Sequence, residues 1–102
     1  MIEQDKLIIL FDYYEELLTD SQKNYFIDYY FNNLSLAEIA ENENVSRNAV
    51  SKDLKLTKEK LVNYEEKLRL YEKDKKIRKV ISKITEEDIK EELEKILDEE
   101  VK

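Results

Sequence analysis

Apolar residues recur at spacings of three and four along most of the chain, the period of one helix face. Leu7, Phe11, Tyr14 and Leu18 predict a first helix over residues 5–18. Phe26, Tyr29 and Tyr30 predict the inner stripe of a second, over residues 20–31, ended by Asn32 and Asn33. Asn is the best substitute for Gly where a chain turns left-handed. The helix starts are marked as well. Thr19 precedes Gln22, and Ser35 precedes Glu38, by the three residues of a capping box. Leu34 with Ile39, and Val45 with Val50, are spaced as hydrophobic staples around Ser35 and Ser46. Each such cap is worth about 1 kcal/mol. Thr85 is expected to open a last helix, stapled by Ile84 and Ile89, with Ile89, Leu93, Ile96 and Leu97 as a narrow apolar stripe. Asp98, Glu99 and Glu100 oppose the dipole at its end, which predicts fraying there.

A second pattern begins at Val50. Val50, Leu54, Thr57, Leu61, Tyr64, Leu68 and Tyr71 alternate spacings of four and three, a heptad seam with one polar member. One straight helix over 46–83 would span about 57 Å, whereas a compact chain of this size has a radius of gyration near 13 Å. The helix is therefore expected to break near Thr57 or Asp74, or to meet a second chain as a homodimer. Leu54, Leu61, Tyr64, Leu68 and Tyr71 are the candidate residues of that dimer or core seam.

Composition agrees with helices throughout. The 102 residues contain no Gly and no Pro, where an average chain of this length carries roughly twelve. Strands joined by tight turns usually need them. The expected fold is all-α: a helix-turn-helix followed by long C-terminal helices. Three segments are expected: a helical domain over 1–56 with the helix-turn-helix at 34–56, a heptad-patterned extension over 57–84, and an acidic helix over 85–102.

The stretch "LSLAEIAENENVSRNAVSKDLK" carries the helix-turn-helix signal. Ile39, Ala40, Asn44, Val45 and Val50 are its expected core: Ala40 small where two helices approach, Asn44 at the turn, Val45 and Val50 between the helices. An ordinary helical corner has the same geometry. Ser46, Arg47, Asn48, Ser51, Lys52 and Lys55 fall on or near the face such a helix presents to nucleic acid, with Ser46 as its cap. Asp53 lies among them in sequence and would repel phosphate if it faced outward.

Nucleic-acid binders are usually basic, yet this chain has a net charge of −7. The charge is unevenly placed. Residues 1–45 carry two basic and ten acidic groups, residues 46–83 thirteen basic and six acidic, and residues 84–102 three basic and nine acidic. Salt screens exposed charges beyond roughly 8 Å, so a ligand at 46–55 feels the local positive field. The basic stretch 73–83, "KDKKIRKVISK", is a solvated helix end, a phosphate contact, or a partner for the acidic last helix that competes with phosphate for the same charge.

The absence of Cys and His removes disulfides, thiolate zinc sites, a Cys or His nucleophile and the commonest general base. Carboxylate pairs such as Glu15–Glu16 and Glu65–Glu66 are adjacent and splay across a helix surface. No enzyme, cofactor or metal ion is expected. No apolar run reaches the roughly 18–20 residues of a membrane span, and "MIEQDKLIILF" does not read as a signal peptide. A cytoplasmic protein is the natural expectation.

"LLTDSQKNYFIDYYFNNLSLAEIAENENVSRNAV", followed by "TKEKLVNYEEKLRLYEK", resembles the YlxM family of small bacterial helical proteins over most of residues 7–80. The "YEEKLRLYEK" stretch separates that likeness from helix-turn-helix proteins in general. "LT", "SLAEIA" and "VSRNAV" also resemble region four of bacterial sigma factors. The resemblance implies an all-helical fold whose helix-turn-helix has no wing. Genes of the family tend to lie beside those of the signal recognition particle and its receptor, which implies a regulatory role in protein targeting. Where relatives tend to have "SRQAVYDNIKRT" this chain has "SRNAVSKDLKLT", so Ser51 replaces an aromatic and Leu56 a basic residue. Two functions are expected on these grounds. One is a regulator that binds DNA, or else RNA. The other is a protein-interaction module that contacts the particle's GTPase or the transcription machinery through the seam and the acidic last helix.

Overall fold

A computed structural model describes residues 3–99; Glu100, part of the expected frayed end, lies outside them. All regular structure among the described residues is helical. The chain divides into two compact units, residues 1–68 and 69–102.

The first unit contains α1 (Gln4–Tyr14), α2 (Asp20–Phe26), α3 (Leu36–Glu43) and α4 (Arg47–Leu68). α1 buries Leu7, Leu10, Phe11 and Tyr14, then tightens into a 3-10 turn over Glu15–Leu17 that leads to buried Leu18. α2 opens with a complete capping box: the Gln22 amide donates to Thr19 Oγ1 at 3.2 Å, and the Thr19 amide to Gln22 Oε1 at 3.0 Å. After Phe26 the helix widens into a π turn over Ile27–Phe31, and Asn32 donates back to the Ile27 carbonyl at 3.0 Å. The extra residue in that turn rotates the side chains beyond it about the helix axis. Phe26 is buried and Tyr30 half-buried, but Tyr29, expected inside, is 37% exposed. Asn33 then takes the left-handed turn at φ 55°.

α4 organises this unit by packing against α1, α2 and α3. Val50, Leu54, Thr57 and Leu61 are buried along one side of it. Thr57 does not break the helix: its hydroxyl donates to the Asp53 carbonyl at 2.9 Å, which satisfies a buried polar group inside the helix. Farther on, the buried stripe passes to Glu65, because a straight helix drifts from a seven-residue repeat. Tyr64 is half-buried, with its hydroxyl 3.3 Å from the Leu17 carbonyl, and Leu68 is 45% exposed. The first half of the expected dimer seam is thus the intrachain core. Phe11 and Phe26 stack at 4.3 Å between ring centroids in the same core.

The expected helix break falls at neither Thr57 nor Asp74. α4 ends at Leu68, Arg69 is left-handed at φ 57°, and α5 begins at Leu70. No Gly, Asn or Pro marks that position, which is why local sequence signals do not reveal it. The second unit is a helical hairpin of α5 (Leu70–Ile81) and α6 (Glu87–Leu97). α6 starts two residues after the expected cap: its N-cap is Glu86, which makes no side-chain capping bond. Tyr71, the last seam residue, belongs to this unit. Arg78 donates to Asp74 at 2.9 Å and to Asp98 at 2.8 Å, so the carboxylate at the end of α6 is met by a guanidinium from α5.

Candidate nucleic-acid interface

The corner between α3 and α4 is built from the inside out. Ile39 and Ala40 on α3 pack with Val50 and Leu54 on α4, and Tyr25, Tyr30, Leu34 and Leu36 close around them. α3 is pinned at its start by a second capping box, in which Glu38 N–H donates to Ser35 Oγ and Ser35 N–H to Glu38 Oε1, both at 3.0 Å. Hydrogen bonding to Ser35, first from its backbone N–H and then from its side chain, holds the Glu38 carboxyl below the usual carboxylate range. Asn44 ends α3 in the left-handed region, φ 55° and ψ 46°. The Val45 amide donates to the Ala40 carbonyl at 3.0 Å. Val45 itself is corrected by the structure: its side chain is 40% exposed. The turn is closed there by the backbone bond, while the apolar seal comes from α2 and the residues before α3.

Ser46 opens α4 by accepting from the Ala49 amide at 3.0 Å. Arg47, Asn48, Ser51, Lys52 and Lys55 are all exposed. At 3.6 residues per turn they occupy one continuous sector of α4 that starts with Arg47 at the edge of the buried stripe, beside Leu54, and extends onto the solvent side. Arg47, Lys52 and Lys55 enter no ion pair among the described residues. Asp53 is not part of this sector. It falls on the opposite flank of the buried stripe, half-buried, with its carboxylate 3.4 Å from the Thr57 hydroxyl. Burial, and then the charges of Glu43 and Asp53, hold the Tyr25 phenol above its ordinary range.

One cation beside this sector escapes a sequence reading. Lys58 follows Lys55 by three residues and is half-buried, with its ammonium 5.6 Å from the Tyr30 ring centre. Its only sequence signal is that spacing; the ring beneath it belongs to α2's π turn. Glu59 is exposed one turn beyond Lys55 and limits the positive sector. Within the basic stretch of α5, Arg78 is already engaged by two carboxylates. No cluster of three metal-ligating side chains occurs among the described residues, and none of their helices is long and apolar enough to cross a membrane.

The described residues are all helical in their regular structure, and a short α3 that meets a capped α4 through an apolar corner, with a left-handed residue between them, has the geometry of a helix-turn-helix. Its residues 1–100 match the family model described as "Putative helix-turn-helix protein, YlxM / p13 like", and the chain belongs to that family, UPF0122. Among its relatives, the UPF0122 protein of Fusobacterium nucleatum is 44% identical, over 87% of this chain and 86% of its own length. That of Oceanobacillus iheyensis is 43% identical, over 87% of this chain and 89% of its own. That of Listeria welshimeri is 42% identical, over 96% of this chain and 86% of its own.

Proposed function

We propose that this protein is a regulator that binds nucleic acid through the exposed start of α4 and acts as a homodimer. The observation that carries the reading is the outward sector of Arg47, Asn48, Ser51, Lys52 and Lys55, exposed and clear of Asp53. Arg47 and Asn48 approach base edges or phosphate where backbone N–H groups also favour an anion; Lys52 and Lys55 meet phosphate; Ser46 sets the helix start. DNA is the preferred target. A B-form major groove admits a helix, whereas the A-form major groove of RNA is too narrow for one. Helix-turn-helix proteins read paired half-sites as dimers, which fits the proposed assembly. The setting, regulation of the signal recognition particle pathway in the cytoplasm with the particle's GTPase as a protein partner, comes from the family resemblance.

The test is a gel-shift series over rising salt with wild type, Arg47→Ala and Lys52→Ala. Wild-type binding should fall steeply with salt, because phosphate contacts release counterions, and both variants should bind more weakly. Variants that match wild type at every salt concentration would remove this surface from the proposal. A pull-down on the GTPase, repeated after nuclease, separates protein contact from contact through nucleic acid.

A further inference from the structure

The hairpin of α5 and α6 carries more apolar surface than it covers. Along α5, Ile77 and Val80 are 46% and 62% exposed, and half-buried Ile84 follows in the connection after the helix. On α6, Ile89 and Ile96 are 45% and 57% exposed, while Leu93 between them is half-buried. Helical periodicity places both stripes on the same side of the hairpin. On each helix they flank the inward residues in the same rotational sense, and the antiparallel turn brings those flanks together. The Arg78–Asp98 bridge lies along the other side. A unit of this size, residues 69–102, is shorter than the roughly 40 residues below which a core usually needs a disulfide, a metal or a partner.

The charges beside the stripes say what covers them. On the outer flank of the α5 stripe lie exposed Lys76 and Lys79, with half-buried Glu72 between them in rotation and exposed Lys83 in the turn after the helix; on that of the α6 stripe lie exposed Asp88 and Glu92, with Lys95 beside Asp88 and Glu99 beyond the helix end. One flank is net positive where the other is net negative, so the surface is complementary to itself when reversed. We propose that this side of the hairpin docks against the same side of a second copy of the chain, forming an antiparallel four-helix bundle. A dyad parallel to the helices sets α5 over the partner's α6, opposite charges together and antiparallel throughout. The other face-to-face arrangement sets α5 on α5 and repels. Such a contact is isologous and closed, and its packing is that of paired helical hairpins. It deepens the dimer reading above by naming its surface, and it moves that surface from the α4 seam to the hairpin.

Sedimentation equilibrium on the full chain, without nucleic acid, tests this. Wild type should be a dimer, and Val80→Glu and Ile96→Glu should each raise the dimer dissociation constant at least tenfold with helicity retained. Lys76→Glu combined with Lys83→Glu should weaken self-association. That doubly substituted chain should pair with one carrying Asp88→Lys and Glu92→Lys more tightly than either pairs with itself. A wild type that is monomeric overturns this inference together with the dimer reading. A dimer that none of these substitutions weakens overturns the surface alone and leaves the dimer. Gel-shift activity of the α4 face is a separate readout and survives either result.

Discussion

Tyr14 and Glu65, 51 residues apart in sequence, meet inside the first unit, where the Tyr14 hydroxyl donates to Glu65 Oε1 at 2.6 Å. Tyr14 is fully buried and Glu65 is 8% exposed. The bond ties the last turn of α4 to the end of α1. Removing one partner of a buried hydrogen bond costs about 1–3 kcal/mol. Tyr14→Phe should therefore destabilise the protein by about that amount in urea unfolding. The midpoint should fall and the slope stay constant. An unchanged midpoint would show that the bond carries nothing.

Asn44 holds a positive φ without being Gly. For an L-residue that conformation costs roughly 1–2 kcal/mol, less for Asn than for residues lacking a local polar side chain. Asn44→Ala should destabilise by about 1 kcal/mol, whereas Asn44→Gly should be neutral or slightly stabilising. Thermal melts of the three proteins decide it. A tolerated alanine would mean that the turn relaxes out of the left-handed region.

The two capping boxes differ in chemistry, and acid should distinguish them. Gln22 completes the first and has no charge to lose. Glu38 completes the second, and its bonds to Ser35 lower its pKa on folding. A lowered folded-state pKa means stability that is present above the unfolded value, near 4.3, and is lost as pH falls through the folded one. The penalty of Glu38→Ala should therefore shrink in acid, while that of Gln22→Ala stays level. Urea midpoints at neutral pH and near pH 3 give the comparison, and parallel behaviour of the two variants would contradict it.

For the α4 face the measurable quantity is the salt slope. If Lys55 and Lys52 each touch one phosphate, replacing either with alanine should reduce the slope of log affinity against log salt by about one. Lys58, held over Tyr30, should contribute less, because its ammonium is already committed to the ring. A slope unchanged in Lys52→Ala would mean that this residue stays in solvent when nucleic acid binds.

Most of the fold was legible because its signals are local. The capping boxes at Thr19 and Ser35, the left-handed turn at Asn33 and the start of α4 at Ser46 depend on residues within one helical turn of each other. Where the signal was not local, expectation and structure part. Tyr29 faces solvent because a π turn rotates the chain after Phe26. Val45 is exposed because residues from α2 and the approach to α3 seal the corner in its place.

Taken alone, the order of amino acids determined the helical class, the helix starts and the identity of the corner, since periodicity and capping act over three or four residues. Only tertiary structure decided that the heptad from Val50 to Leu61 is spent inside the chain, and that the helix breaks at Arg69. Those outcomes depend on which helices cover which sides of α4, a relation between segments far apart in sequence that no local spacing encodes.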